Sequence, residues 1–446
     1  MAVDASTVWE VRTTGNDNNG GGFTAGASGT DRSQQNAAHA TLTAASVVGA
    51  NITHIDVSAG DYTVVAADIG NVLQITGGTA TAGFYEIINV DIPNNRWHMN
   101  GIVGATGNTV VGNMGGALAS PAKVASPSTN GNIVFIKAGT YTMSVNTNNV
   151  ANGKWLKNAP ILVIGYDTNR AWGNTDTKPV IQATVSLTSM WDGTSNWVNN
   201  IDFDANGQAA TRCVNNGAFT RCIFRNANLA NNMILATHCV ATGNSAIPFS
   251  GATAGYVYCE AHDNTATGFN CGNATLIGCI SESNSGATSD GFSTPNFSSA
   301  HFFGCIAYNN GRDGFRSTSG SIVSRMILQN CIADSNAGFG VNSAAADYPS
   351  IAVRCAFRNN GSGASTGSIT EVDSLTPASI PFTDAPNRDF SLNNTAGSGA
   401  LLRAAGYIEF DSNLFPAGLT ASYLDVGAAQ HQDSGGGGGG EHSAVF

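Results

Sequence analysis

Six segments of this 446-residue chain begin with cysteine and carry asparagine five residues later. They are Cys239-Val-Ala-Thr-Gly-Asn244, Cys259-Glu-Ala-His-Asp-Asn264, Cys279-Ile-Ser-Glu-Ser-Asn284, Cys305-Ile-Ala-Tyr-Asn-Asn310, Cys331-Ile-Ala-Asp-Ser-Asn336 and Cys355-Ala-Phe-Arg-Asn-Asn360. Successive cysteines stand 20 to 26 residues apart, and Cys222 with Asn226 forms an earlier, imperfect copy. Such a period marks a solenoid, whose units cannot bury an apolar face alone and must stack on one another. A short polar turn after each asparagine leads to an aromatic, often behind glycine: Phe249, Gly268-Phe269, Gly291-Phe292, Gly314-Phe315 and Gly338-Phe339.

A helical repeat of this length would need amphipathic runs of ten or more residues, whereas these units hold short apolar bursts broken by Gly, Asn and Ser. Each unit is therefore a coil of short strands. Stacked coils bring equivalent residues within ~4.8 Å, so a Cys ladder and a Phe ladder fill the interior. Asparagine tolerates left-handed backbone geometry and its amide can hydrogen-bond along a stack, which predicts an Asn ladder at a turn.

Composition agrees with an all-β chain. Gly accounts for 54 residues and charged residues for only 11%, which excludes long helices with charged faces. The net charge of -11 and the lack of a Lys/Arg cluster argue against nucleic acid as a partner. No stretch approaches the roughly 18 uninterrupted apolar residues of a membrane span, so no membrane insertion is expected. The opening Met1-Ala2-Val3-Asp4-Ala5-Ser6 has neither the basic nor the apolar region of a secretory leader. Nine cysteines, all between Cys213 and Cys355, are too few and too local for a disulfide scaffold spanning the chain.

The Cys, Asn and Phe repeat resembles the right-handed parallel β-helix of the pectate-lyase-like superfamily, which includes polysaccharide lyases, pectin hydrolases and phage tailspikes. The resemblance covers roughly Asn132 to Cys355 and is one of architecture, since this fold hosts enzymes and inert rods alike. Asn132-Ile-Val-Phe-Ile-Lys-Ala-Gly-Thr-Tyr141 resembles a first coil, and Ile161-Leu-Val-Ile-Gly-Tyr166 through Lys178-Pro-Val-Ile181 a second. Asp389-Phe-Ser-Leu-Asn393, Ala400-Leu-Leu-Arg403 and Leu424-Asp-Val-Gly-Ala428 resemble closing segments. The opening, Trp9 to Gly15 and then Gly20-Gly-Gly-Phe23, is similar to the start of β-helix proteins encoded by phages and environmental sequences.

The resulting division is residues 1–60 as N-terminal cap and start of the helix, 61–118 as a β-rich insertion, 119–375 as the parallel β-helix, 376–433 as C-terminal cap, and 434–446 as a tether. The insertion carries Val72–Ile75, Phe84–Val90 and Trp97–Met99 between Gly and Asn pairs, the pattern of a β meander. Gly435 to Gly440 cannot pack a core and behaves as a flexible tether, with Val445 and Phe446 as a candidate docking end.

Strand alternation sets which residues face out. With Cys and Cys+2 inward, Cys+3 forms an outer row Thr242, His262, Glu282, Tyr308, Asp334 and Arg358. Within it His262, Glu282, Tyr308 and Asp334 are the candidate glycan-facing residues. Glu282 and Asp334 would lie about 9.6 Å apart, at the edge of what an inverting glycosidase uses. Polar residues on an outer wall are nonetheless ordinary solvated surface, and that is the expectation here. The Cys+1 row holds Ile280, Ile306 and Ile332, an apolar stripe that predicts an interface, either with another subunit or with a covering C-terminal segment, the alternative being a register one residue away that makes the isoleucines core. Tyr256, Tyr258, Phe302 and Tyr308 are further candidates for stacking on sugars.

No catalytic residue, cofactor or metal is assigned. Asp202 and Asp204 share a strand face, but two carboxylates make a weak cation site. Cys259-Glu-Ala-His262 and His238-Cys239 lack the spacing of a zinc finger, and the ladder already accounts for each cysteine. The expected function is therefore structural or adhesive: a virion component such as a spike, fibre or decoration, homo-oligomeric or bound to other virion proteins, with cell-surface glycan as a candidate ligand. A polysaccharide-degrading tailspike-like enzyme and a bacterial surface adhesin or filament subunit are the alternatives.

Overall fold

The computed structural model describes residues 3–49, 53–143, 155–156, 161–193, 195–251, 254–295, 298–318, 324–344, 349–403, 405–406 and 425–428. The protein is a right-handed parallel β-helix. Two compact units form, Met1–Asp204 with Asn215–Ala218, and Ala205–Val214 with Phe219–Phe446. The glycine tether, Val445 and Phe446 lie outside the described residues.

In the first unit the strand Thr7–Val11 pairs in parallel with Ile133–Lys137, which continues into Leu162–Tyr166 and Trp197–Asn199. Thr140–Met143, Val180–Ala183 and Asp202–Asp204 form a second parallel ladder beside it. The meander expected between these coils is a closed six-stranded barrel, and it starts at Ala40 rather than at 61. Ala40–Val48 and His54–Asp56 complete the ring with Val72–Gly78, Gly83–Asp91, Arg96–Met99 and Thr109–Met114. Their apolar sides close on Leu42, Ile55, Leu73, Ile87, Trp97 and Val110. The first barrel strand escaped the sequence reading because small residues and a register shift between Leu42 and Ala45 blur its alternation.

The second unit stacks coils of three short strands. One sheet runs from Leu235–Thr237 through Gly255–Val257, Thr275–Ile277, Ser299–Phe303, Arg325–Gln329 and Ser350–Val353 to Ile369–Val372. A second runs from Ile223–Arg225 through Val240–Thr242, Glu260–His262, Ile280–Glu282, Ile306–Tyr308 and Ile332–Asp334 to Ala356–Arg358. A third holds Phe249–Gly251, Phe269–Cys271, Phe292–Thr294, Phe315–Ser317 and Phe339–Ser343.

The repeat residues line these coils from within. The nine cysteines are free and buried, and Cys259, Cys279 and Cys331 donate their thiols to Ala236, Tyr256 and Phe302 carbonyls at 3.3–3.4 Å. Burial pushes the Cys239, Cys259 and Cys279 thiols well up, which keeps them protonated donors. Phe249, Phe269, Phe292 and Phe315 stack face to face with centroids 4.6–4.9 Å apart. Phe339 does not continue this stack: Phe315 pairs with Val341, and Phe339 is partly exposed. Phe249, Phe269 and Phe315 each stand five residues after a ladder asparagine, and Val341 keeps that count from Asn336, whereas Phe339 falls two residues short.

Asn244, Asn264, Asn284, Asn310, Asn336 and Asn360 form an unbroken ladder, each Nδ2 donating to the next Oδ1 at 2.8–2.9 Å. The left-handed backbone falls one residue earlier than expected, at Gly243, Asp263, Ser283, Asn309, Ser335 and Asn359. Bend and hydrogen-bond roles are thus divided between neighbours. The residue bearing the bend stays outside the coil, which frees the asparagine amide to point in.

The isoleucine stripe faces outward but is not exposed. Ile280, Ile306 and Ile332 are buried under Phe382, Phe390, Leu392, Leu402 and Val426. The C-terminal segment supplies this cover with an antiparallel pair, Phe382–Asp384 with Asp389–Leu392, and the helix Gly399–Leu402. Gly427 lies so close that a Cβ there would come within 2.7 Å of Ile332 Cδ1. Of the two interface partners the sequence left open, the covering segment is the one present. The segment reads as a side plate rather than an end cap because the outward isoleucines are a large apolar surface that the coils leave uncovered. Just before this segment, Leu375 extends the second sheet by a parallel bridge to Ala356.

Candidate functional site

The predicted outer row is in register: His262, Glu282, Tyr308, Asp334 and Arg358 sit on successive strands of the second sheet. The expectation that it is solvated surface fails, because His262, Glu282 and Asp334 are all buried. The cover over the isoleucines extends across this row. Tyr308 packs edge-on against Phe382 and Phe390, at 5.9 and 5.6 Å, and so is not presented to a sugar. Tyr256 and Phe302 are interior, and Tyr258 leans on His238. Asp334 accepts two bonds from Arg358 Nη1, at 2.7 and 2.9 Å, and a third from Ser335 Oγ at 2.9 Å. It is saturated.

Glu282 and His262 belong to a different environment, which they share with Glu260, the residue that follows Cys259 on the strand of His262. Glu260 and His262 both point outward from one strand, and Glu282 is paired beside His262 on the next. One ligating atom from each of Glu260, His262 and Glu282 lies within 4.8 Å of the others. His262 Nδ1 is 3.0 Å from Asp263 Oδ2, and His262 Nε2 is 4.0 Å from Glu260 Oε1.

The remaining member is Arg388, more than a hundred residues away in sequence. It ends the short 3-10 turn Ala385–Asn387 with left-handed backbone, φ 65°. Its Nε donates to Glu282 Oε1 at 2.6 Å and lies 3.7 Å from Glu260 Oε1, and its Nη2 donates to Asp263. Nothing in the local sequence of Arg388 announces this role. It follows from the docking of the apolar plate that carries it.

Burial, and then the neighbouring Glu282 carboxylate, push Glu260 up to about 7, against the pull of Arg388. Burial also pulls His262 down, which favours the neutral imidazole. The first of these shifts has a stability consequence. A folded value of about 7 against an ordinary 4.5 means that the native state holds the extra proton between those values. The stabilising contribution is complete below about 4.5 and is lost as pH rises through 7. In chelator-treated protein, Glu260→Gln is therefore expected to raise stability by about 2 kcal/mol at pH 8 and by little at pH 4.5. Unfolding midpoints of the two proteins across that range check it, and equal midpoints at pH 8 contradict it.

Two other clusters lie in the first unit. Glu10 is buried between Arg12 and Arg170, and accepts from Tyr166, with the Arg170 guanidinium 4.6 Å over Phe135. The buried Glu10 carboxylate is answered by both guanidiniums, which marks a structural clamp. In the barrel His54 and His98 stack at 4.0 Å. Asp204 accepts from Gln182 at 3.0 Å, and Asp202 shares its strand. Among the described residues no helix is long and apolar enough to cross a membrane.

The fold thus defines the class, a parallel β-helix, and the site adds an acidic, histidine-containing cluster beneath a C-terminal plate. No family model matches the chain, and no curated protein matches it. Among solved structures it is similar to pectate lyase Pel9A, with a TM-score of 0.42 and 15% identity over 71% of this chain and 92% of that one. Geobacillus virus E2 ORF18 gives 0.34 and 11% over 55% and 52%. The A-module of the Azotobacter vinelandii mannuronan C-5 epimerase AlgE4 gives 0.34 and 15% over 55% and 85%. These are likenesses of chain path.

Proposed function

We propose that this chain is a non-enzymatic structural or adhesive β-helix, a phage-virion component such as a spike, fibre or surface decoration that works as a homo-oligomer and engages cell-surface glycan. The observation that carries this reading is the closure of the acidic row by the chain's own C-terminal segment. Hydrolysis needs two carboxyl groups about 5–9.5 Å apart with a sugar between them. Here Arg388 fills the space beside Glu260 and Glu282, and Arg358 saturates Asp334.

Two further features support the reading. Nine buried thiols without a disulfide suit assembly in a reducing compartment. On the first unit, Val8, Ile133, Leu162 and Trp197 fall on one outward register line, with Trp197 51% exposed. An indole on a flat strand ladder is a surface on which a sugar ring or a second copy can pack.

Polysaccharide cleavage is the second reading, favoured by Glu260, an acid raised to about 7 beside Glu282, as a general acid requires. The names of the similar structures include a lyase and a virus reading frame, and they decide neither. The experiment incubates the full chain with a panel of neutral and uronate polysaccharides, follows reducing ends and unsaturated products, and measures oligomeric state by light scattering. The expected result is a defined oligomer, no product, and weaker retention on glycan by Trp197→Ala. Product that vanishes in Glu260→Gln would replace this reading with the enzymatic one.

A further inference from the structure

We propose that Glu260, His262 and Glu282 bind one divalent transition-metal ion of the Zn2+ type, with Arg388 as the cation that competes for the site. The geometry of His262 is the first argument. Asp263 takes its Nδ1–H at 3.0 Å, which leaves Nε2 as a lone pair directed at Glu260 Oε1, 4.0 Å away. A carboxylate that fixes one imidazole nitrogen while the other faces a second ligand is the arrangement of metal-binding histidines.

Glu260 supplies the second, independent argument. It is only 4% exposed, and its Oε1 has no hydrogen-bond partner, since Arg388 Nε at 3.7 Å is beyond bonding reach. Once Glu260 is ionised, two acceptors therefore face each other across a buried gap with no donor between them. That arrangement is costly unless a cation bridges them.

Charge and size agree. Glu260, Asp263 and Glu282 place three carboxylates around the single guanidinium of Arg388, an excess of two negative charges when all are ionised. A divalent ion neutralises that excess. Tetrahedral coordination with bonds of ~2.1 Å sets ligand atoms roughly 3.4 Å apart. Ligating atoms already within 4.8 Å reach this by side-chain rotation of about an ångström. An imidazole with only two carboxylates suits Zn2+ and related ions, whereas Ca2+ seeks six to eight oxygens. A fourth position is left for water or for a ligand group.

The test uses the full chain, stripped with chelator and dialysed, titrated with Zn2+ against a chromophoric chelator and with Co2+ followed by visible absorption. The expected result is one Zn2+ whose binding weakens more than about tenfold in Glu260→Gln and in His262→Asn. Arg388→Ala should tighten the same binding about tenfold, since it removes a competing charge, and should intensify the Co2+ band. Ions held by His54 and His98 in the barrel would be indifferent to all three changes, so only the variant-dependent ion counts. Circular dichroism confirms that each variant is folded. Zn2+ binding unchanged by Glu260→Gln and His262→Asn, or absent even in folded Arg388→Ala, overturns the proposal. Neither result bears on polysaccharide cleavage, which is assayed separately.

Discussion

Phe292→Ala is expected to lower the stability of the second unit by about 4 kcal/mol, within the range for emptying a buried aromatic position. Phe292 stacks on Phe269 at 4.9 Å and on Phe315 at 4.8 Å, and Phe302 meets it edge-on at 5.6 Å. Its removal opens a cavity that the coils above and below cannot collapse into, because their backbones are held apart by the parallel ladder. The stack provides its own control. Phe315 has a phenylalanine on one side only, with Val341 on the other, so Phe315→Ala should cost less by about 0.5–1.5 kcal/mol, the worth of one aromatic pair. Long solenoids often unfold irreversibly, so the measurement is the unfolding rate and midpoint at a fixed scan rate. Equal losses at the two positions would mean that ring stacking adds nothing to simple burial.

Asn310→Ala should cost about 3 kcal/mol, although it removes no apolar surface of consequence. Asn310 donates to Asn336 Oδ1 at 2.9 Å and to Ser281 O at 3.0 Å, and accepts from Asn284 Nδ2 at 2.9 Å. Truncation leaves these buried groups short of partners, at about 1–3 kcal/mol for each one left unsatisfied. Asn310→Asp is expected to be worse at pH 8. The new carboxylate cannot donate to Asn336 Oδ1, and burial penalises its charge. Protonation restores a donor, so the aspartate variant should gain on the alanine variant as pH falls toward 4. If the two variants track each other at every pH, the ladder amides act as spacers rather than as a hydrogen-bonded chain.

These two ladders were legible in the sequence because a stacked coil repeats its chemistry at a fixed count. Cysteine, asparagine five residues on, and an aromatic five further on, or eight for Phe292, specify coil, turn and filling without reference to anything distant. In the last coil the five-residue count selects Val341 over Phe339, whereas after Asn284 residue type is the better guide, since Phe292 stands eight residues on and still joins the stack. Alternation also placed Ile280, Ile306, Ile332, His262, Glu282, Tyr308 and Asp334 on the outward side, since side chains on a strand have a period of two.

What lies over that outward side was legible only as two alternatives, another subunit or a C-terminal segment, and not by its residues. Phe382, Phe390 and Leu402 reach the isoleucine stripe from outside the repeat, and the hydrophobic effect that holds them there is non-directional, so no spacing rule names their target. Arg388 arrives with them, and only then do Glu260, Asp263 and Glu282 become a buried charged cluster rather than a solvated edge. The barrel start at Ala40 is a similar case, because ring closure, not local alternation, defines its first strand. The sequence by itself determined the coil, its ladders and its outward rows, all set by short-range periodicity. Tertiary structure alone decided which outward residues are buried and which charges meet, because those contacts join segments about a hundred residues apart whose pairing depends on shape and apolar area rather than on any repeat.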